Sequence, residues 1–213
     1  MVENIHWLGH DSFRLDGSST VYIDPWKLGP AAPPADLILV THDHFDHLSL
    51  DDIARLATPQ PTVVGPASVT GQVRDVATVT VKAGDSVTIG GVGVTAVPAY
   101  NLDKFREPGH VFHPPEAGYV GFIVELDGRR IYHAGDTDAI PEMRDVQCDV
   151  ALLPVSGTYV MTAEEAAGAC GMVHAAAVVP MHYGDIVGSA ADAARFESLC
   201  GVPVMVLPQE ADT

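Results

Sequence analysis

The sequence predicts a single-domain α/β protein in which one β-sheet packs on another with helices outside, and three observations carry that expectation. The chain of 213 residues has no Ser/Gly-rich linker and no break in composition, so residues 1–213 read as one domain. In each half, short β-type runs come first and strand–helix alternation follows, a pattern that stacked layers bury best. Finally, DLILVT (36–41) and CDVALLPV (148–155) are almost continuously apolar, as strands covered on both faces are.

Taken in order, ENIHWLG, SFRLDG and TVYID are β-type runs separated by Gly or ended by Asp-Pro. DLILVT follows and delivers the chain into a histidine-rich segment. SLDDIARLA then reads as a helix: Ser49 is an N-cap, Asp51 and Asp52 occupy the first turn, and Leu50, Ile53, Ala54 and Ala57 recur helically. TVVG is a short strand, residues 66–74 a short helix, and ATVTVK, DSVTIG and VGVTAVPAY three β-runs. Residues 100–118 hold three prolines and no periodicity, which predicts a loop. A hairpin turning at Asp127-Gly128 comes next. Thr162 and Glu165 form a capping box at the start of a helix, AAAVVPMH is a strand ending at a histidine, SAADAARFESLC a helix and VPVMVL a last strand.

The net charge of −17 arises from many carboxylates and only three lysines, Lys27, Lys82 and Lys104. Such a surface repels phosphate backbones, so no nucleic-acid partner is expected, and it suits a high-salt cytoplasm in which self-repulsion is screened. The first ten residues lack a basic-then-apolar leader, and no segment reaches eighteen uninterrupted apolar residues, so the expectation is a cytoplasmic protein with no membrane partner. Cys148, Cys170 and Cys200 are odd in number, far apart and without a CxxC, which reads as buried thiols.

The chemistry is concentrated in THDHFDH, where His42, His44, Asp46 and His47 fall within six positions. In extended chain, residues two apart share a face, so His42 and His44 can converge on one ion. The turn that follows can direct Asp46 and His47 to a second. Two ligands are too few for either ion, because zinc takes three or four protein groups. Asp136 in HAGDTD, His182 in PMHYG and His113 in the long loop each lie where a strand meets a loop, and could supply the rest. His110 is the alternative to His113; Pro114-Pro115 and the strand beyond favour His113. Taken alone, Asp136 would be an ordinary turn residue and His182 a hydrogen-bonded core histidine.

These motifs carry a resemblance. THDHFDH matches the HxHxDH motif of the metallo-β-lactamase superfamily, HAGDTD its later aspartate motif and PMHYG its final histidine motif, in the expected order. GHDSF, the DPW at 24–26 and the short length resemble the branch of small hydrolases that includes ascorbate-6-phosphate lactonase-like proteins. The resemblance implies a four-layer αββα sandwich and a binuclear site. His42, His44 and His113 would hold the first ion, and Asp46, His47 and His182 the second. Asp136 would bridge them, and Asp46 and Asp136 are the candidate catalytic carboxylates. The cofactors expected are two divalent ions, zinc first, with manganese or iron as alternatives.

Such ions make hydroxide available at neutral pH and stabilise developing oxygen charge, so the expected reaction is hydrolysis of an ester, lactone or phosphoester bond. The expected substrate is a small, anionic molecule attracted by Lys104 and Arg106 in the rim loop, with Tyr159 or Tyr183 as an oxyanion donor. A phosphodiesterase or nuclease is the alternative within hydrolysis; it resembles the chain at the motifs but usually adds a substrate-gripping arm. A diiron redox protein and a metal-bound sensor are alternatives of other classes. His10 reads equally as packing or as a neighbour of the ions, His133, His6 and His174 read as structural, and Asp43 as a group that could orient an imidazole. Homo-oligomer formation is left open.

Overall fold

A computed structural model describes residues 2–57 and 61–210. The first sheet has six strands in chain order: β1 (Ile5–Gly9), β2 (Ser12–Asp16), β3 (Thr20–Ile23), β4 (Leu37–Leu39), β5 (Thr62–Gly65) and β6 (Ala77–Thr80). The second contains β7 (Ser86–Ile89), β8 (Val92–Pro98), β11 (Val120–Leu126), β12 (Arg129–His133), β13 (Gln147–Pro154) and β14 (His174–Met181), in the order β14-β13-β12-β11-β8-β7. Between β8 and β11, β9 (Phe105–Glu107) and β10 (His110–Val111) form a separate small hairpin. The helices are α1 (Leu50–Leu56), α2 (Ala67–Thr70), α3 (Ala163–Cys170) and α4 (Ala190–Leu199).

Each sheet begins antiparallel and becomes parallel. Strands β1 to β3 are antiparallel neighbours, and β3 to β6 run parallel. In the second sheet β7, β8, β11 and β12 pair antiparallel, and β12, β13 and β14 parallel. Parallel neighbours end on the same side, so the segments leaving β4, β12, β13 and β14 can meet.

The alternation in β4 explains its unbroken apolar reading. Leu37 and Leu39 join Phe13, Ile23 and Val64 in one cluster with Val94, Phe122 and Leu152 of the other sheet. Ile38 and Val40 turn the other way, into a second cluster with Tyr22, Val63, Ile53 and Leu56 of α1, and Val69 of α2. Ala163, Ala166 and Ala169 of α3 and Phe196 of α4 cover the outer face of the second sheet. The expected sandwich, sheet on sheet with helices outside, is therefore the fold. Burying one such Leu or Phe contributes about 1.5–3 kcal/mol.

Three local expectations differ from the structure. The segment 100–118 is not all loop, since it holds β9, β10 and a 3-10 turn at Pro115–Ala117. VPVMVL is not a strand: Val204 makes an isolated bridge to Val178, with the Pro203 carbonyl accepting from Val178 N and Met205 N donating back. Pro203 has no N–H to extend that ladder. The helix expected over 66–74 is confined to Ala67–Thr70. No helix among the described residues is long and apolar enough to cross a membrane.

Candidate metal centre

The segment leaving β4 tightens at once. His47 N and Leu48 N both donate to the His44 carbonyl, at 3.0 and 2.8 Å, and Ser49 Oγ then caps α1 by accepting from Asp52 N. This turn brings His42 Nε2 within 3.0 Å of His44 Nδ1. From across the site, His113 Nε2 comes within 3.2 Å of the same His44 atom. Three imidazole nitrogens thus face one point, and His42 and His113 are buried.

Asp136 stands between this trio and a second group. Its Oδ2 is 3.3 Å from His113 Nε2 and 3.3 Å from His182 Nε2, and its Oδ1 is 3.4 Å from His47 Nε2. The route from β12 to Asp136 passes through Gly135, at φ +64°, where a Cβ would lie 3.0 Å from the Val120 carbonyl and 3.3 Å from Thr41. Only glycine accepts both the left-handed backbone and that approach.

The second group is composed of His47 and His182 with His10 and Asp11. Asp46 lies beside it, at the rim: its Oδ2 accepts from His10 Nε2 at 3.2 Å and is 3.9 Å from His47 Nε2. His182 is itself held at φ +58° at the end of β14, where its N–H donates to the His10 carbonyl at 3.1 Å.

Most of these imidazoles are aimed from behind. His47 Nδ1 donates to Asp24 Oδ2 at 2.8 Å, and Asp24 also accepts from Thr41 N and Thr41 Oγ1 at 2.7 and 2.6 Å. His42 Nδ1 donates to that threonine hydroxyl at 3.0 Å. His113 Nδ1 and His113 N both donate to Asn101 Oδ1 at 2.9 Å, and His182 Nδ1 donates to Ser156 Oγ at 2.9 Å. A back-side acceptor fixes the tautomer and leaves Nε2 bare toward the centre, the usual preparation of a metal-ligating histidine. Asp24, Asn101 and Ser156 were not singled out from sequence for this role. In the chain they look like ordinary turn residues.

The electrostatics divide the centre. Burial, with neighbouring imidazoles, lowers His42 well below the ordinary imidazole range and takes His113 to about 4. Burial also opposes charge on His182 and His47. There Asp136 and Asp11, with Asp24 at His47, outweigh it, raising His182 to about 9 and His47 well above its usual value. Burial likewise disfavours the Asp136 carboxylate, but His182 and His47 overcome it and hold Asp136 well below the carboxylate range.

A cavity of about 230 Å³ opens over His44, Asp46, His113 and Asp136, walled by Phe45, Phe112, Tyr159 and Ile186. Of the residues expected to bind substrate, Tyr159 lines it. Tyr183 is buried and stacks on Trp7 at 4.8 Å. Lys104 Nζ is held by Asp103, Glu165 and Asp138 at 2.6, 3.0 and 3.3 Å, and Arg106 is exposed on β9. His110 is exposed on β10, outside the centre. Asp43 meets Gln72 and the Tyr119 hydroxyl instead of an imidazole. His133 Nε2 donates to the Asp11 carbonyl at 2.9 Å.

A profile of the beta-lactamase superfamily domain matches residues 4–182. The chain belongs to that superfamily. A UPF0173 metal-dependent hydrolase of Methanoregula boonei is 35% identical over 202 residues, covering 92% of this chain and 88% of its own. The crystal structure of a Parabacteroides distasonis chain assigned as a metal-dependent hydrolase superposes with a TM-score of 0.83 at 31% identity, covering 95% of this chain and 91% of that one. A diiron β-hydroxylase from Streptomyces venezuelae shares the fold alone, with a TM-score of 0.72 at 14% identity; the match covers 95% of this chain and 52% of that one.

Proposed function

We propose that this metal-dependent hydrolase of the β-lactamase superfamily works with two divalent ions, zinc first with manganese or iron as alternatives, to cleave an ester, lactone or phosphoester bond in a small substrate. The observation that carries the proposal is the arrangement around Asp136, a carboxylate within 3.4 Å of imidazole nitrogens from both groups. The donor set fits such ions. His47 Nε2, His182 Nε2 and Asp136 Oδ1 are buried without hydrogen bonds, a costly state for polar atoms unless a cation satisfies them.

In this reading His42, His44 and His113 hold one ion, His47, His182 and Asp46 the other, and Asp136 is shared. When bound, two such ions supply hydroxide at neutral pH and positive charge for the oxygens of attack and departure. The chain supplies the rest. Asp136 and Asp46 keep negative charge at the centre, Thr41, Asp24, Asn101 and Ser156 hold the imidazoles in position, and Tyr159 offers a hydroxyl at the cavity wall.

The walls refine the substrate. Phe45 and Ile186 are 69% and 47% exposed, yet line the cavity with Phe112, while Lys104 is neutralised by three carboxylates. The attraction for an anionic or polarised group therefore rests with the ions, and the walls suit an apolar substituent beside the scissile bond.

The test is elemental analysis of wild type and His113→Ala purified in high salt, with hydrolysis assayed on aryl esters, lactones and phosphodiesters. Two equivalents in wild type, fewer in the variant and turnover lost with metal support the proposal. Undiminished turnover after complete chelation overturns it.

A further inference from the structure

The turn between β1 and β2 carries more into the centre than the recognised motifs require. Gly9 is at φ +114° and His10 at φ +51°, and a non-glycine residue held in the left-handed region is strained. The turn is nonetheless firmly fixed. The His10 carbonyl accepts from Trp7 Nε1 at 2.9 Å and from His182 N at 3.1 Å, and the Asp11 carbonyl accepts from His133 Nε2 at 2.9 Å. Strain is kept, and what it achieves is to direct the Asp11 side chain inward.

That side chain is wholly buried and neither of its oxygens makes a hydrogen bond. Asp11 Oδ2 lies 3.6 Å from His47 Nε2, 3.7 Å from His182 Nε2 and 3.6 Å from His10 Nε2. These separations are too long for hydrogen bonds. They are close to the separation of atoms that share one cation, roughly 3.0–3.4 Å for ligands about 2.1 Å from a six- or four-coordinate ion, so a small inward movement would place them on it. A buried carboxylate with no donor is among the most unfavourable groups a fold can carry, unless a cation faces it.

We infer that Asp11 is an additional carboxylate ligand of the second ion, joining His47, His182, Asp46 and Asp136, and that His10 tethers Asp46 by donating from Nε2. The inference rests on the two-ion reading above. It assigns that position to a particular class of ion. Three carboxylates and two imidazoles exceed the four ligands of tetrahedral zinc and favour a harder, higher-coordinate ion, manganese or ferrous iron. The first position, with three imidazoles and one shared carboxylate, remains zinc-like. The two positions therefore differ in preference, and Asp11 makes the difference.

The experiment is titration of metal-free protein in high salt with Mn²⁺, free ion being read by its paramagnetic resonance signal, and separately with Zn²⁺ against a chromophoric chelator. Wild type, Asp11→Asn and Asp11→Ser are compared. Wild type is expected to take two Mn²⁺. Both variants should bind the second Mn²⁺ at least tenfold more weakly, lose less affinity for the second Zn²⁺, and keep the first site within twofold.

A second Mn²⁺ bound within twofold of wild type by both variants overturns the role of Asp11 while leaving the two-ion reading standing. Fewer than two ions bound by wild type in both the Mn²⁺ and the Zn²⁺ titrations removes the two-ion reading, and the role of Asp11 falls with it.

Discussion

Asp24 shows how much of this centre depends on residues that would touch no ion. Its carboxylate accepts from His47 Nδ1 and, through the Thr41 hydroxyl, is linked to His42, so one side chain orients an imidazole in each group. Asp24→Asn should leave the fold intact and weaken metal retention about 10–100-fold, the usual effect of removing a group behind a ligand. Competition with a chelator measures it, and retention within twofold of wild type would remove Asp24 from this role. The split in proton affinity gives a second expectation. With His182 raised to about 9, it carries a proton near pH 7.5 in the metal-free protein, and the carboxylates around His47 favour its charged form too, whereas His42 and His113 are neutral. An ion binds only the deprotonated imidazole, so loading must release protons, and second-site affinity must rise with pH until titration near 9 is complete. Calorimetry in buffers of different ionisation enthalpy would show it; a buffer-independent enthalpy would contradict it. His42, His44, Asp46 and His47 could be read from sequence because they are crowded into one motif. Asp11, Asn101 and Ser156 could not, because single polar residues in turns become significant only when distant strands bring them together.

At the level of elements, the strands that bury both faces were the most legible, since Ile38 and Val40 must find one apolar cluster and Leu37 and Leu39 the other. The capping box at Thr162 and Glu165 was equally legible, because it is entirely local. The hairpin β9–β10 was not. Its two and three residues are too few to show a period, and they are largely exposed. The missing strand at 202–207 failed for a different reason: its composition is right, but Pro203 and an edge position leave only a bridge. The turn after β12 allows a direct test of element on site. Gly135→Ala places a Cβ against the Val120 carbonyl and Thr41 at φ +64°, so it should destabilise the metal-free protein by about 1–3 kcal/mol and displace Asp136. Unfolding in denaturant reads the first effect and metal stoichiometry the second. An unchanged midpoint would show that the turn relaxes freely.

For the molecule as a whole, charge is the dominant physical fact. A formal charge of −17 on 213 residues repels itself, and counterions screen exposed carboxylates over about 10 Å at 0.1 M salt and about 3 Å at 1 M. Melting temperature should rise substantially between low salt and molar KCl, and an apo-protein indifferent to salt would dismiss the high-salt expectation. Composition made this visible from the start. Which carboxylates serve the centre and which merely face water was hidden, because Asp11 and Asp136 differ from the surface aspartates only in burial.

The order in which the proposed ligands occur along the chain has a mechanical consequence. Residues at 11, 42 to 47, 113, 136 and 182 come from both sheets and from the loop between β10 and β11, yet they converge on one edge. An ion held there closes several long loops at once, and loop closure restricts an opened chain more strongly the farther apart its ends lie in sequence. A loaded centre would thus also be the rivet of the sandwich. Metal release should loosen this edge first, leaving the opposite edge, where no ligand lies, to depend on apolar packing alone.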